Sequence, residues 1–206
     1  MSAHHITSRE ALYRLYPAPS TRAMQKQLAA LDRHCRHFIS LSPFLVLATR
    51  SESGLADASP RGDVPGFVVV EDEKTLLIPD RPGNNRLDSL QNIIDTPAVG
   101  LLFLVPGINE TLRVNGTAEI RTDPDLLARL AHQGKLPRAV LKVSVAEVYL
   151  HCAKALIRSK LWDEEAKIER SAYPSLGQIL ADQIEGLGDA AATDASLEKV
   201  YRETLY

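Results

Sequence analysis

The spacing of hydrophobic residues predicts helices in the first forty residues. Thr7 and Glu10 have the spacing of a capping box, and Pro17 and Pro19 end the first helical segment. Ser20 has the character of an N-cap for a second helix. The apolar positions after it recur at steps of three and four, as on one helical face: Met24, Leu28, Leu31, Cys35 and Phe38.

From Pro43 onward the pattern changes to that of β-strands. Residues 44–49 are almost all apolar, which favours a strand buried on both faces. Residues 56–61 alternate strictly after a turn at residues 51–54. Further strands are predicted, most of them joined by hairpin turns, at residues 67–70, 75–78, 99–105, 110–120 and 139–149.

Helices interrupt and follow these strands. One is predicted to begin near Asn84, with Leu87, Leu90 and Ile94 on its apolar face, and another follows Pro124. After Trp162 the pattern is helical again, at residues 176–184 and 197–205. Six or seven strands in hairpin order predict an α+β protein built on an antiparallel sheet or small barrel.

Composition and charge narrow the range of functions. A chain of 206 residues fits one domain with additions, and its core needs neither disulfides nor a structural metal. The net charge of −2 gives no support for binding nucleic acid or an anionic membrane. We find no secretory signal and no apolar run long enough to span a bilayer, so a cytoplasmic protein is expected. Cys35 and Cys152 have no metal-type spacing, and no metal site is predicted.

The segment from Asp80 to Leu90 is the most informative. A Pro-Gly turn joins a strand to a predicted helix, whose first turn would offer unpaired N–H groups to an anion. Arg81 and Arg86 flank this position and would add charge-assisted contacts to a phosphate. An ordinary helix with surface arginines paired to Asp80 and Asp88 explains the same pattern.

Two strands carry polar residues on one face. Alternation puts Asp57, Ser59 and Arg61 on the same side of a strand that contains Pro60, either beside a flat ligand or facing solvent. On residues 112–121 the odd positions are polar, so that Arg113 and Asn115 would line the same cleft or face outward. Gly116 within this strand predicts a bulge or a close approach by a ligand or another backbone.

The segment from His151 to Trp162 follows the last strand and contains the only tryptophan. Its basic residues include Lys154 and Arg158. A catalytic pair of His151 and Cys152 is disfavoured because adjacent residues on a strand point to opposite faces. The segment fits either residues that embrace a phosphorylated aromatic cofactor or the start of an amphipathic helix.

Four motifs in this order resemble those of the pyridoxamine 5′-phosphate oxidase-like flavoproteins, in particular an uncharacterised FMN-dependent subgroup. The motifs are residues 58–63, 80–86, 113–116 and 151–155, the last with Arg158 and Trp162. The resemblance covers about residues 43–162. It implies a split β-barrel domain over residues 1–206, with helices at 1–41 and 163–206 flanking the barrel at 43–162.

The resemblance also implies an FMN site in a cleft between two subunits. Its phosphate would be held by Asn84, Asn85 and Arg86, with Arg81 beside them. Residues 59–61 would lie along the ring system and ribityl chain, and Arg113 and Asn115 would reach the flavin or substrate. Lys154, Arg158 and Trp162 would come from the second subunit. No catalytic acid or base is implied, because the flavin carries the hydride chemistry.

The expected protein is therefore a homodimeric, FMN-dependent oxidoreductase that acts on an unknown small molecule, with NADH or NADPH as a candidate electron donor. The C-terminal Arg-x-His segment of the family's name-giving oxidase is missing, which argues against vitamin B6 oxidation. The alternatives are a flavin carrier or redox sensor without turnover, and a relative that uses a deazaflavin or reacts with haem.

Overall fold

The computed structural model describes residues 4–205 as eight α-helices and one seven-stranded sheet, with two short 3₁₀ turns. The strands are β1 (Phe44–Arg50), β2 (Ala56–Gly62), β3 (Val69–Val70), β4 (Thr75–Asp80), β5 (Ala98–Leu104), β6 (Thr111–Arg121) and β7 (Ala139–His151). The helices are α1 (Arg9–Leu15), α2 (Thr21–Gln25), α3 (Arg33–Leu41), α4 (Asp88–Asp95), α5 (Pro124–Arg129), α6 (Lys154–Ser159), α7 (Leu176–Gln183) and α8 (Ala190–Thr204).

The sheet is antiparallel throughout and forms a split barrel. Its strand order is β2-β1-β5-β6-β7-β4-β3, so β2 lies at one edge and the β3–β4 hairpin at the other. These edges meet through an ion pair between Arg61 of β2 and Asp80 of β4. The predicted α+β class and antiparallel split barrel are confirmed.

The main core fills the inner face of this barrel. Leu45 and Leu47 of β1 pair in register with Phe103 and Leu101 of β5, and all four side chains are buried. The core continues across β6, β7 and β4 and includes Ile39 of α3 and Ile93 of α4. Among the described residues, no helix has both the length and the apolar character needed to cross a membrane.

The helical face predicted after Ser20 is divided between two helices. Ser20 caps α2, but this helix ends at Gln25, and the backbone of Leu28 pairs with that of Val148 on β7. Asp32 then caps α3 by accepting a hydrogen bond from the Cys35 amide at 2.8 Å. The continuous helix was a wrong prediction, because the backbone of Leu28 pairs with the sheet between the two helices. Similarly, Ser8 rather than Thr7 caps α1.

Strand β1 is buried on one face only. Its burial alternates, and Phe44 and Ala48 are exposed on the side opposite Leu45 and Leu47. The prediction of burial on both faces was therefore wrong for a single chain. The side chains of Val46 and Leu102 belong to the same open face, since the two residues are paired in register. We call this the outer face of the barrel.

Helix α4 begins four residues later than predicted. Residues 81–87 form a loop in which Asn85 has a φ of 57°, a left-handed conformation that interrupts a right-handed helix. Of the predicted apolar face, Leu90 packs against the core, but Leu87 and Ile94 are exposed, and Ile93 is the buried aliphatic residue.

Candidate functional site

A cavity of about 490 Å³ lies between the end of β2 and the loop of residues 81–87, which we call the β4–α4 loop. This size is within the range of small-molecule sites. Seven predicted site residues line the cavity: Ser59, Pro60, Arg61, Arg81, Asn84, Asn85 and Arg86. The structure thus brings the β2 motif and the β4–α4 motif together.

Arg61, like Arg81, is a largely enclosed cation of this pocket. One guanidinium nitrogen donates to Asp80 at 2.6 Å, while Nε is buried and has no hydrogen-bond partner. The side chain of Arg61 is 20% exposed to solvent. An unpaired buried donor costs free energy, so Arg61 favours an added acceptor in the pocket.

Arg81 does not pair with Asp80 but bonds to Asp63 and to the backbone of Leu130. Its Nε donates at 2.8 Å to Asp63, whose side chain is 1% exposed, and Nη1 donates to the Leu130 carbonyl. The pair expected between Arg81 and Asp80 does not form. Arg81 therefore joins the β4–α4 loop to the end of β2, which gives it a structural role beside any contact with a ligand.

Arg86 and Asn85 of the β4–α4 loop are held by different hydrogen-bond partners. Arg86 pairs with Asp88 as one alternative predicted, at 2.5 Å, and its side chain is 77% exposed. Asn85 instead accepts a hydrogen bond from Arg138 at 2.8 Å. Sequence reasoning missed Arg138, which precedes β7 and reaches the pocket because its amide pairs with the Asp80 carbonyl. Only the β4–β7 register places these distant residues together.

A buried polar network holds α4 against the sheet. The Asp57 carboxylate accepts from Ser89 at 2.9 Å and from Thr49 at 3.3 Å, and Asn92 donates to Thr49 at 3.0 Å. Asp57 thus provides the hydrogen-bond acceptor for the hydroxyl of Ser89, in the first turn of α4. The guanidinium groups that line the pocket come from Arg61, Arg81, Arg86 and Arg138, whereas the first turn of α4 packs against Asp57.

Arg113 and Asn115 lie on the other side of the sheet. Ser59 and Arg61 pair in register with the inward-facing Leu47 and Leu45, whereas Arg113 pairs with Leu102 of the outer face. Within one chain these strands cannot line the same cleft, and that expectation was wrong. The bulge predicted at Gly116 is confirmed by a register shift between Asn115 and Gly116.

Arg113 lies in a cluster of polar side chains on the outer face, and residues just after α2 belong to the same cluster. Glu147 accepts hydrogen bonds from Asn115 and Gln27 at 2.5 Å each, and from Arg113 at 3.4 Å. Tyr149 and His151 continue this surface along β7, and Lys26 covers it. We call this group the outer cluster: Lys26, Gln27, Arg113, Asn115, Glu147, Tyr149 and His151.

Lys154, Arg158 and Trp162 do not line the pocket of this chain. Lys154 and Arg158 are exposed on α6. Trp162 donates its indole N–H to the Ile108 carbonyl at 2.9 Å, which anchors the segment after α6 to the β5–β6 turn. Their predicted place in a site formed by two subunits stays a prediction.

The donors of the pocket fit a phosphate group. Arg61 has a buried donor without an acceptor, and Arg138 and Arg86 approach from the loop side. Guanidinium groups match the planar arrangement of phosphate oxygens and bind them with charge-assisted hydrogen bonds. A split barrel with an arginine-lined pocket between β2 and β4 is the class of protein that this fold and site define.

The family model described as pyridoxamine 5′-phosphate oxidase matches residues 31–152. The match covers more than half of the chain, which therefore belongs to this family of flavin-binding split-barrel proteins. The predicted family resemblance is confirmed. No curated protein is significantly similar in sequence.

Solved structures with a related fold share little sequence with this chain. HupZ of Group A Streptococcus is 20% identical, with a TM-score of 0.48 over 58% of this chain and 93% of its own. A protein of Clostridium acetobutylicum related to general stress protein 26 is 14% identical, with a TM-score of 0.45 over 57% and 85%. An FMN-binding protein of Syntrophomonas wolfei is 11% identical, with a TM-score of 0.44 over 58% and 83%.

Proposed function

We propose that this protein binds FMN and is an FMN-dependent oxidoreductase for a small organic molecule. The observation that carries the proposal is the pocket between β2 and the β4–α4 loop, where Arg61 keeps a buried donor without a partner. Membership of a flavin-binding family supports a flavin as the ligand. FMN is the flavin whose terminal phosphate matches this group of arginines.

Arg61, Arg86 and Arg138 would hold the phosphate, while Asn85 fixes the loop through its hydrogen bond to Arg138. Asn84 accepts from the Arg86 amide at 2.9 Å and shapes the same turn. Ser59 and Pro60 would lie against the rest of the cofactor. When bound, FMN supplies hydride chemistry, and the residues of this chain bind and orient it.

We further propose that two chains form the complete site. The predicted flavin contacts Lys154, Arg158 and Trp162 do not line the pocket of their own chain, nor do Arg113 and Asn115, which are predicted to reach the flavin or substrate. The outer face of β1 and β5 exposes apolar side chains, a surface that a second copy would cover. A homodimer would therefore supply the missing half of the site from its second subunit.

The first test is the visible spectrum of the purified protein, followed by titration with FMN. A flavin band, or saturable uptake of FMN, supports the proposal, and neither of these would reject it. Reduction by NADH or NADPH and reoxidation by a candidate acceptor would then support an oxidoreductase over a flavin carrier. A bound flavin that neither donor reduces would favour a carrier or sensor.

The second test separates phosphate contacts from ring contacts. We expect Arg138→Ala to weaken FMN binding by about tenfold, the lower end for a hydrogen bond to a charged group of about 1.5–3 kcal/mol. Arg86→Ala should act in the same direction, because both exposed arginines line the pocket. Riboflavin, which has no phosphate, should bind both variants as it binds the unmodified protein.

Arg129→Ala is the matched control, since Arg129 pairs with Glu71 at the surface and does not line the pocket. It should leave both affinities unchanged. Equal weakening of FMN and riboflavin in Arg138→Ala would mean that Arg138 supports the pocket without contacting the phosphate.

A further inference from the structure

The outer cluster places two cations on one aromatic ring. The Arg113 guanidinium carbon lies 4.6 Å from the centroid of the Tyr149 ring, and the Lys26 ammonium lies 5.4 Å from it. The His151 ring is tilted by 52° against Tyr149, with its centroid 5.0 Å away. The three basic side chains come from the segment after α2, from β6 and from β7, so tertiary structure brings them together.

Lys26 is fixed in this position by the sheet. Its ammonium donates to the Leu150 carbonyl at 2.6 Å, and the backbone of Leu28 pairs with Val148 through two hydrogen bonds of 2.9 Å. These contacts explain why residues 26–32 leave the helical path. The segment after α2 therefore contributes a charge to the β7 surface.

The positive charge of the outer cluster exceeds its negative charge. Glu147 is the single carboxylate of the cluster, and its oxygens already accept from Asn115, Gln27 and Arg113. Lys26 forms no ion pair with a carboxylate of the described residues. The Nε of Arg113 is buried and lacks a hydrogen-bond partner.

The pKa of His151 responds to the positive charge of the outer cluster. Burial lowers its pKa, and the charges of Arg113 and Lys26 lower it further. Tyr149 of the same strand is the other ionisable residue in ring contact with it, and Glu147 lies further along the strand. A site with two cations, one engaged carboxylate and an unpaired guanidinium donor favours an added anion.

We propose that the outer cluster binds the anionic group, a carboxylate or a phosphate, of the small-molecule substrate. Arg113 and Lys26 provide the charges, and Tyr149 holds the two cations at its face. The inference rests on the proposed function for the existence of a substrate. Anion binding itself can be measured without flavin.

The test follows the imidazole of His151 by NMR at increasing pH, in the full-length protein, with and without inorganic phosphate or benzoate. A bound anion should raise the pKa of His151, because it stabilises the imidazolium. A response to benzoate alone assigns the site to carboxylates, and a response to phosphate alone assigns it to phosphates. No response to either would overturn the inference.

Lys26→Met and Arg113→Gln should each abolish the response, whereas Lys167→Met should retain it, because Lys167 pairs with Glu164 in a different segment. A response that survives both cluster variants is a general salt effect and rejects the site. FMN titration of the same samples separates the two proposals. If FMN binds normally but neither anion changes the pKa of His151, the proposed substrate site is wrong and the proposed function stands.

FMN itself must also be examined as the ligand of the outer cluster. If FMN raises the pKa of His151 and Lys26→Met abolishes both this effect and FMN binding, the cluster holds the cofactor phosphate. That result would overturn the assignment to substrate.

Discussion

The two cysteines show how burial decides the chemistry of a side chain. Both are free thiols; Cys35 is buried in the core, while Cys152 is exposed after β7. Burial raises the pKa of Cys35 to about 11, and Asp32 adds to this effect. The thiolate is the reactive form, so Cys35 is inert near neutral pH.

We expect Ellman's reagent to titrate one thiol quickly in the folded protein and two after denaturation. Cys152→Ser should remove the fast reaction, because Cys152 is the accessible thiol. Rapid modification of Cys35 in the folded Cys152→Ser variant would show that α3 opens much more readily than its buried position indicates.

At the scale of elements, the bulge in β6 depends on a residue without a side chain. A Cβ at Gly116 would lie 1.9 Å from the Ser144 carbonyl oxygen of β7. This contact is with backbone, so the two strands would have to separate. The bulge directly follows Asn115, so the residues that β6 contributes to the outer cluster lie on one side of it.

Gly116→Ala should lower the free energy of unfolding by about 1–3 kcal/mol or more, the cost of overpacking. Urea denaturation measures this change. Gly83→Ala is the matched control, because nothing lies within 4 Å of its added Cβ and its φ is not positive. Equal stability of the two variants would mean that β6 and β7 adjust without cost.

At the scale of the whole molecule, the barrel separates the two surfaces for which we propose a function. The pocket is at the seam where β2 approaches β4, and the outer cluster is on the opposite side of the sheet. The half-buried apolar residues of the outer face, among them Val46 and Leu102, give this face the character of an interface.

We predict a dimer by light scattering, and conversion to a monomer by Leu102→Lys, which buries a charge if the outer face is an interface. The same variant should bind FMN more weakly, since the second subunit would no longer contribute. Ile168→Lys is the control, because Ile168 is an exposed apolar residue outside the sheet. A flavin-loaded monomer of the unmodified protein would contradict the two-chain site.

Much of the fold follows from local sequence patterns. The alternation on β2 and β6 correctly groups Ser59 with Arg61 and Arg113 with Asn115, because successive side chains of a strand point to opposite faces. Gly116 marked the bulge, and the Pro-Gly segment marked a turn into the pocket. The start of α4 was missed because the left-handed Asn85 is held by Arg138, a residue 53 positions away.

The sequence by itself determined which residues share a face of their own strand, since this depends on local backbone geometry. Only the tertiary structure decided which face lies inside the barrel. It also placed Arg138 beside Asn85, and Lys26 beside Tyr149. These contacts depend on strand register and on closure of the sheet, which join residues far apart in the chain and leave no periodic signal in it.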